Sequence, residues 1–121
     1  MTLTITLPLP AAGLSPNSRL HWAAKSRLVR DYRGAAAIVT RDAMNRAKIK
    51  GGWERATVRP VFYKRVNRRA DADNALSSLK AAIDGLADAG LIRDDSGLTY
   101  LPVEFRVDSR SPRVELVVES Q

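Results

Sequence analysis

Residues 2–7 alternate polar and apolar, Thr2-Leu3-Thr4-Ile5-Thr6-Leu7, the period-two pattern of a strand with one buried face, and Pro8 and Pro10 close it. Gly13 to Arg19 collects Gly, two Ser, Pro16 and Asn17, so a loop follows. From His21 to about Lys48 there is no proline, and Leu28, Val29, Tyr32, Ala36, Val39 and Ala43 recur at steps of three and four, predicting a long helix that Gly51 and Gly52 stop. Ala56 to Arg65 predicts a second strand, in which Pro60 implies an edge position or a bulge. Asn74 to Ala89 predicts a second helix with Leu76, Leu79, Ile83 and Leu86 on its apolar face, an Asp or Asn as N-cap and Gly90 at the C-cap. A polar turn at 93–97 leads into strands over Thr99 to Val107 and Val114 to Val118. The order β-α-β-α-β-β predicts a small two-layer α/β (α+β) domain: a mixed sheet of about four strands with two helices on one face.

A chain of 121 residues fits one domain, and with no cysteine it holds no disulfide framework. Apolar residues at 45% place it with folded proteins rather than disordered tails. No run approaches the ~20 apolar residues of a membrane span, and the N-terminus lacks the basic-then-apolar order of a signal peptide, so the expectation is a soluble, intracellular (cytoplasmic) protein with no membrane partner.

Charge divides the chain. Residues 1–70 carry 15 Lys+Arg against 3 acids, whereas residues 71–121 carry 5 against 10, for a total of +7. Fifteen of the 20 basic residues are arginine, whose planar fork suits phosphate. A polyanion is the expected partner, which argues for nucleic-acid binding and not for any particular chemistry.

The acidic half supplies candidate chemistry. In Arg68-Arg69-Ala70-Asp71-Ala72-Asp73-Asn74 two carboxylates stand two residues apart, and on an extended backbone such residues share a face ~7 Å apart, within reach of one hard cation. Asp94 and Asp95 follow a helix and a reversal at Gly90, a path that can bring them beside Asp71 and Asp73. Such a cluster needs a metal or cationic neighbours, and Arg68, Arg69 and Lys80 could supply the latter. In phosphodiester hydrolysis a metal activates water and stabilises the reacting oxygens while Lys or Arg offsets transition-state charge. The same residues also read as ordinary local structure: Asp73 or Asn74 as a helix cap, Lys80 and Asp84 as an i to i+4 pair, Asp94 to Gly97 as a turn. His21 reads as a cap or surface group, and Trp22 and Trp53 as core or interface anchors before base-stacking groups. No glycine pattern suggests a nucleotide cofactor.

The run Arg69-Ala-Asp71-Ala-Asp73-Asn74, followed by Lys80-Ala-Ala-Ile-Asp84-Gly-Leu-Ala-Asp-Ala-Gly90-Leu-Ile-Arg-Asp94-Asp95, resembles the core of the RusA family of Holliday junction resolvases. The strand end Ile-Thr-Leu-Pro at 5–8 and the Pro16-Asn17-Ser18-Arg19 loop before a basic helix are similar too, so the resemblance spans most of the chain and is weakest over 40–60. It implies a homodimeric, Mg²⁺-dependent endonuclease, with Mn²⁺ as a substitute, that binds four-way DNA junctions and resolves them by paired nicks in recombination and repair. Carried over by motif, Asp71, Asp73 and Asp95 would be metal-binding catalytic carboxylates, Asp94 and Asn74 supporting residues, and Lys80 the active-site lysine. Lys80 lies six residues beyond Asn74 where the family pattern has three, about one helical turn or ~4.5 Å along the axis. Asn17, Arg19, Lys25, Arg27, Arg30, Arg68 and Arg69 would hold DNA. Two symmetric cuts suit a two-fold protein. The resemblance also suggests a phage or prophage origin. A non-catalytic nucleic-acid-binding module, or a relative acting on flaps or forks, is the alternative.

Overall fold

In the computed structural model, which describes residues 1–121, the alternating N-terminus forms β1 (Thr2–Leu7), with Leu3, Ile5 and Leu7 buried and the threonines exposed. A short 3-10 turn, Ala12–Leu14, leads to the long helix α1 (Trp22–Ala47). After β2 (Ala56–Lys64) come two helices, α2 (Ala72–Ser77) and α3 (Lys80–Asp88), a second 3-10 turn at Asp95–Gly97, and strands β3 (Leu98–Tyr100), β4 (Glu104–Val107) and β5 (Arg113–Ser120).

The sheet order is β1-β5-β2-β3, with β4 also on β2; β5 runs antiparallel to β1 and β2, while β3 and β4 run parallel to β2. The expected mixed α+β domain is therefore present, with five strands instead of about four. The extra strand arises because the segment read as one strand, Thr99 to Val107, is interrupted: Ala56 pairs with Leu98 and Val61 with Glu104, so the edge carries one more residue than β2 between these points. Pro60 explains it. Val58 and Lys64 turn their carbonyls toward this edge, accepting from Leu101 and Asp108, and by alternation Pro60 faces the same way without an N–H to give. Pro60 thus sits in an interior strand, and the bulge its missing donor calls for lies on the neighbouring strand.

Leu3, Ile5 and Leu7, with Val58, Phe62, Val114, Leu116 and Val118, form the buried sheet face, and Tyr32, Ala36, Met44, Leu79, Ile83 and Leu86 close the core from the helices. Helices α1 and α3 touch at Gly85, where a Cβ would come within 2.6 Å of the Arg33 carbonyl oxygen and 2.7 Å of the Ala36 Cβ. The Tyr32 hydroxyl donates to the Pro8 carbonyl at 2.7 Å, tying α1 to the end of β1, and burial pushes its pKa up.

The ends of the helices follow two rules. Lys48, not the glycines, stops α1: it adopts φ 57, and the N–H groups of Lys48 and Ile49 return to Asn45 and Met44. Gly51 and Gly52 lie beyond, where a side chain on Gly51 would collide with the Gly90 carbonyl oxygen. Gly90 itself closes α3 with φ 86, its N–H donating to Ala87 and that of Leu91 to Leu86, as the sequence predicts.

The single helix expected over 74–89 is broken. The Ser78 hydroxyl donates to the Ala75 carbonyl at 2.6 Å, and the Leu79 N–H, which would normally use that oxygen, goes to Leu76 instead. Leu79, fully buried, anchors the break in the core, and α3 starts afresh at Lys80. No helix is long and apolar enough to cross a membrane.

Candidate functional site

Asp71 is the last extended residue before α2, with φ −91 and ψ 117, and its Oδ1 accepts from the backbone N–H groups of Asp73 (2.9 Å) and Asn74 (3.1 Å). The cap is therefore Asp71, where Asp73 or Asn74 was expected. Because the helix begins at Ala72, Asp73 stands in its first turn, and the two carboxylates do not share one face of a strand. Asp94 plays the same part for the second 3-10 turn, accepting from the Ser96 N–H at 3.0 Å. That bond, with the neighbouring Asp95, holds the Asp94 carboxyl below the usual range.

Asp95 comes back to the start of α3 and not to the start of α2. Its Oδ2 lies 3.5 Å from the Lys80 ammonium, which also stands 3.5 Å from Oδ1 of Asp84. The two carboxylates, Asp84 first, raise the Lys80 pKa. Asp84 reaches on to Arg33 at 4.0 Å, and Arg33 grips Asp88 with two hydrogen bonds of 2.6 and 2.8 Å, so a chain of alternating charge runs from Asp95 to Asp88. The lysine's place is set by the break at Ser78, which overrides the one-turn displacement expected along a continuous helix.

Tyr100 links the two acidic segments. It lines one cleft with Asp73, Leu76 and Pro102, and a second, of about 200 Å³, with Ser77 and Lys80. Burial raises its hydroxyl pKa first, and the charge of Asp95 raises it further. The Lys80–Asp84 contact is the i to i+4 pair that the spacing predicts, whereas nothing in the sequence marked Tyr100, which arrives through the parallel pairing of β3 with β2.

The cluster of three or four acids that the spacing permits is not assembled, and no three His, Asp or Glu side chains converge as a metal cage. Two facts explain it: Asp71 is turned into its own helix, and Asp95 takes Lys80 as its cation. The donor set is nonetheless all oxygen, as a hard divalent cation requires. Every acidic side chain of the protein stands in an ion pair except Asp71, Asp73, Asp94 and Glu119, so three of the four unpaired acids belong to this region. Oδ2 of Asp71 and both oxygens of Asp73 are free for a ligand.

Of the candidate DNA-binding residues, Arg19, Lys25, Arg27, Arg68 and Arg69 form no ion pair, and Arg30 stands 3.9 Å from Asp31. Arg68 and Arg69 lie on the exposed connection from β2 to α2, immediately before Asp71; Asn17 and Arg19 lie on the exposed loop before α1. Lys25 lines a groove of about 240 Å³ with Val29, Ser77, Ser78, Lys80 and Asp84. Asn74 lines a separate, mainly apolar pocket beside Phe62 and Phe105. His21 caps α1, its Nδ1 accepting from the Ala23 N–H. Trp53 packs against the core, whereas Trp22 stands 76% exposed.

No family model matches the chain. It is 34% identical over 113 residues, 86% of its own length and 68% of the other's, to an uncharacterized protein of Xylella fastidiosa (strain Temecula1 / ATCC 700964), and so belongs to the same family as that protein.

Proposed function

We propose that the protein is a RusA-like, Mg²⁺-dependent endonuclease that nicks branched DNA, with the four-way junction as its substrate and a homodimer as its working form. The observation that supports this reading is the company the unpaired acids keep: Asp71, Asp73 and Asp94 lack cationic partners although uncommitted arginines precede them in the chain, and Lys80 and Asp95 stand by Tyr100, which also borders Asp73. By motif Asp71, Asp73 and Asp95 would hold the cation; they do not converge in the free protein, so Asp95 would have to leave Lys80 and move toward Asp71 and Asp73, with waters completing the cation's shell. When bound, it would supply a polarised phosphate and an activated water. The chain's own residues position the rest. Lys80 offsets charge on the phosphoryl oxygens, Asp94 keeps the 3-10 turn that carries Asp95 in shape, and Arg68 and Arg69 hold flanking phosphates.

The exchange of Lys80 for a cation at Asp95 is energetically small. Lys80 is exposed and Asp95 half exposed, and such pairs are worth at most ~1 kcal/mol. A second reading, a non-catalytic module that binds nucleic acid through its basic half, is favoured by the capping roles of Asp71 and Asp94.

Nicking of a synthetic four-way junction, beside linear duplex and flap controls, with Mg²⁺ and with EDTA, separates the two. The expected result is paired, metal-dependent cuts lost in Asp73→Asn and Asp95→Asn without loss of binding, together with a Mg²⁺-induced rise in melting temperature that Asp73→Asn removes. Junction binding with no cutting in either Mg²⁺ or Mn²⁺ would leave the binding module.

A further inference from the structure

Trp22 is the first residue of α1, and its indole is 76% exposed, the largest exposure of any aromatic in the protein. Its surroundings are apolar and cationic at once. Leu20 is half exposed beside it, the His21 ring lies 5.5 Å away, and none of the first 30 residues is acidic, while Arg19, Lys25 and Arg27 form no ion pair. Lys25 is one helical turn on and enters the groove that leads over Ser77 and Ser78 to Lys80 and Asp84. Trp22 does not itself line this groove; it precedes Lys25, which does, by three residues on the helix, and Lys80, with Asp95 beside it, lines the same groove.

We propose that Trp22 is a stacking platform for an unpaired nucleobase, and that the DNA strand continues along the groove past Lys25 toward Lys80. An indole offers a π-face that any base can cover, and a nearby ammonium neutralises the phosphate that follows. A fully paired duplex keeps its bases stacked on one another and offers no free face, so this contact selects DNA with unpaired nucleotides, such as an opened branch point. The inference rests on the nucleic-acid-binding part of the function proposed above and not on cleavage.

Trp53→Phe leaves Trp22 as the sole tryptophan and so as a fluorescent reporter. Titration with oligo-dT, a blunt duplex of equal length and a four-way junction should quench Trp22 with the first and third only. In the otherwise native chain, Trp22→Ala should weaken oligo-dT binding at least ~10-fold and leave duplex binding unchanged, with Trp22→Phe recovering most of the loss. Equal weakening on all three DNAs, or binding of oligo-dT without quenching, overturns the proposal. So does a dimer that becomes monomeric in sedimentation on Trp22→Ala, since a second copy would then cover the ring. Quenching without junction cleavage would uphold the stacking role while removing the nuclease reading, and absence of all DNA binding would remove both.

Discussion

Lys80 stands where two demands meet. Its ammonium balances Asp84 and Asp95 in the free protein, and under the proposed function the same ammonium would offset charge on a phosphoryl oxygen. These roles give opposite signs for metal binding and for catalysis. Lys80→Met should leave Asp95 without its cation, so the Mg²⁺ concentration at the midpoint of thermal stabilisation should fall severalfold, while the nicking rate drops by roughly 100-fold. A midpoint that does not move, read by differential scanning fluorimetry across a Mg²⁺ series, would show that Lys80 and the metal do not compete for Asp95. Asp71 illustrates the same doubling at the neighbouring position, with Oδ1 serving the helix and Oδ2 left over.

Between elements, the contact of α1 with α3 fixes where the site sits. Gly85 allows the two backbones to approach, and Arg33 on α1 clasps Asp88 near the end of α3. The Arg33 hydrogen bond holds the Asp88 carboxyl below its ordinary value of 3.8. A depressed carboxylate contributes stability that is complete above its unfolded value and disappears as pH falls through the folded one. Arg33→Met should therefore melt below the native protein at pH 7, and the difference should shrink toward zero as the pH drops below about 3.8. A gap independent of pH, in thermal melts from pH 2 to 7, would assign the effect to lost packing of the arginine stem instead. The break between α2 and α3 belongs to this scale as well. One hydroxyl, that of Ser78, diverts the Ala75 carbonyl and thereby lets Lys80 begin a helix rather than continue one.

Across the whole molecule, charge is sorted by sequence half and then redistributed by the fold. Arg19 in the loop before α1, Lys25 and Arg27 in its first turns, and Arg65, Arg68 and Arg69 on the β2–α2 connection form no ion pair, whereas Arg33 of α1 is taken up by the acids of α3 and Arg113 by Glu115 of β5. Binding of DNA by such a surface should be strongly salt-dependent. Neutralising Arg68 and Arg69 together with glutamine should reduce the slope of log K against log salt by about one per lost phosphate contact, roughly uniformly across DNA sequences. An unchanged slope in fluorescence anisotropy would place the phosphates elsewhere, with the α1 cations as the remaining candidates.

The sequence by itself determined what depends on neighbours in the chain. The alternation at 2–7 set β1, the apolar face from Leu28 to Ala43 set α1, Gly90 set the end of α3, and His21 set its own cap. These are local effects of periodicity, backbone freedom and short-range hydrogen bonding, and they are legible without a partner. Pro60 announced a bulge, but only strand pairing decided that the bulge falls on the adjacent strand. The candidate site was legible as a set of residues and not as an arrangement. That Asp95 meets Lys80 and that Tyr100 stands between the acidic segments depend on groups far apart in sequence, whereas the cap at Asp71 is local and takes an oxygen that spacing alone left available to a metal. Exposure likewise belongs to the tertiary structure: Trp22 and Trp53 look alike in the chain, and only packing puts one against the core and the other in solvent.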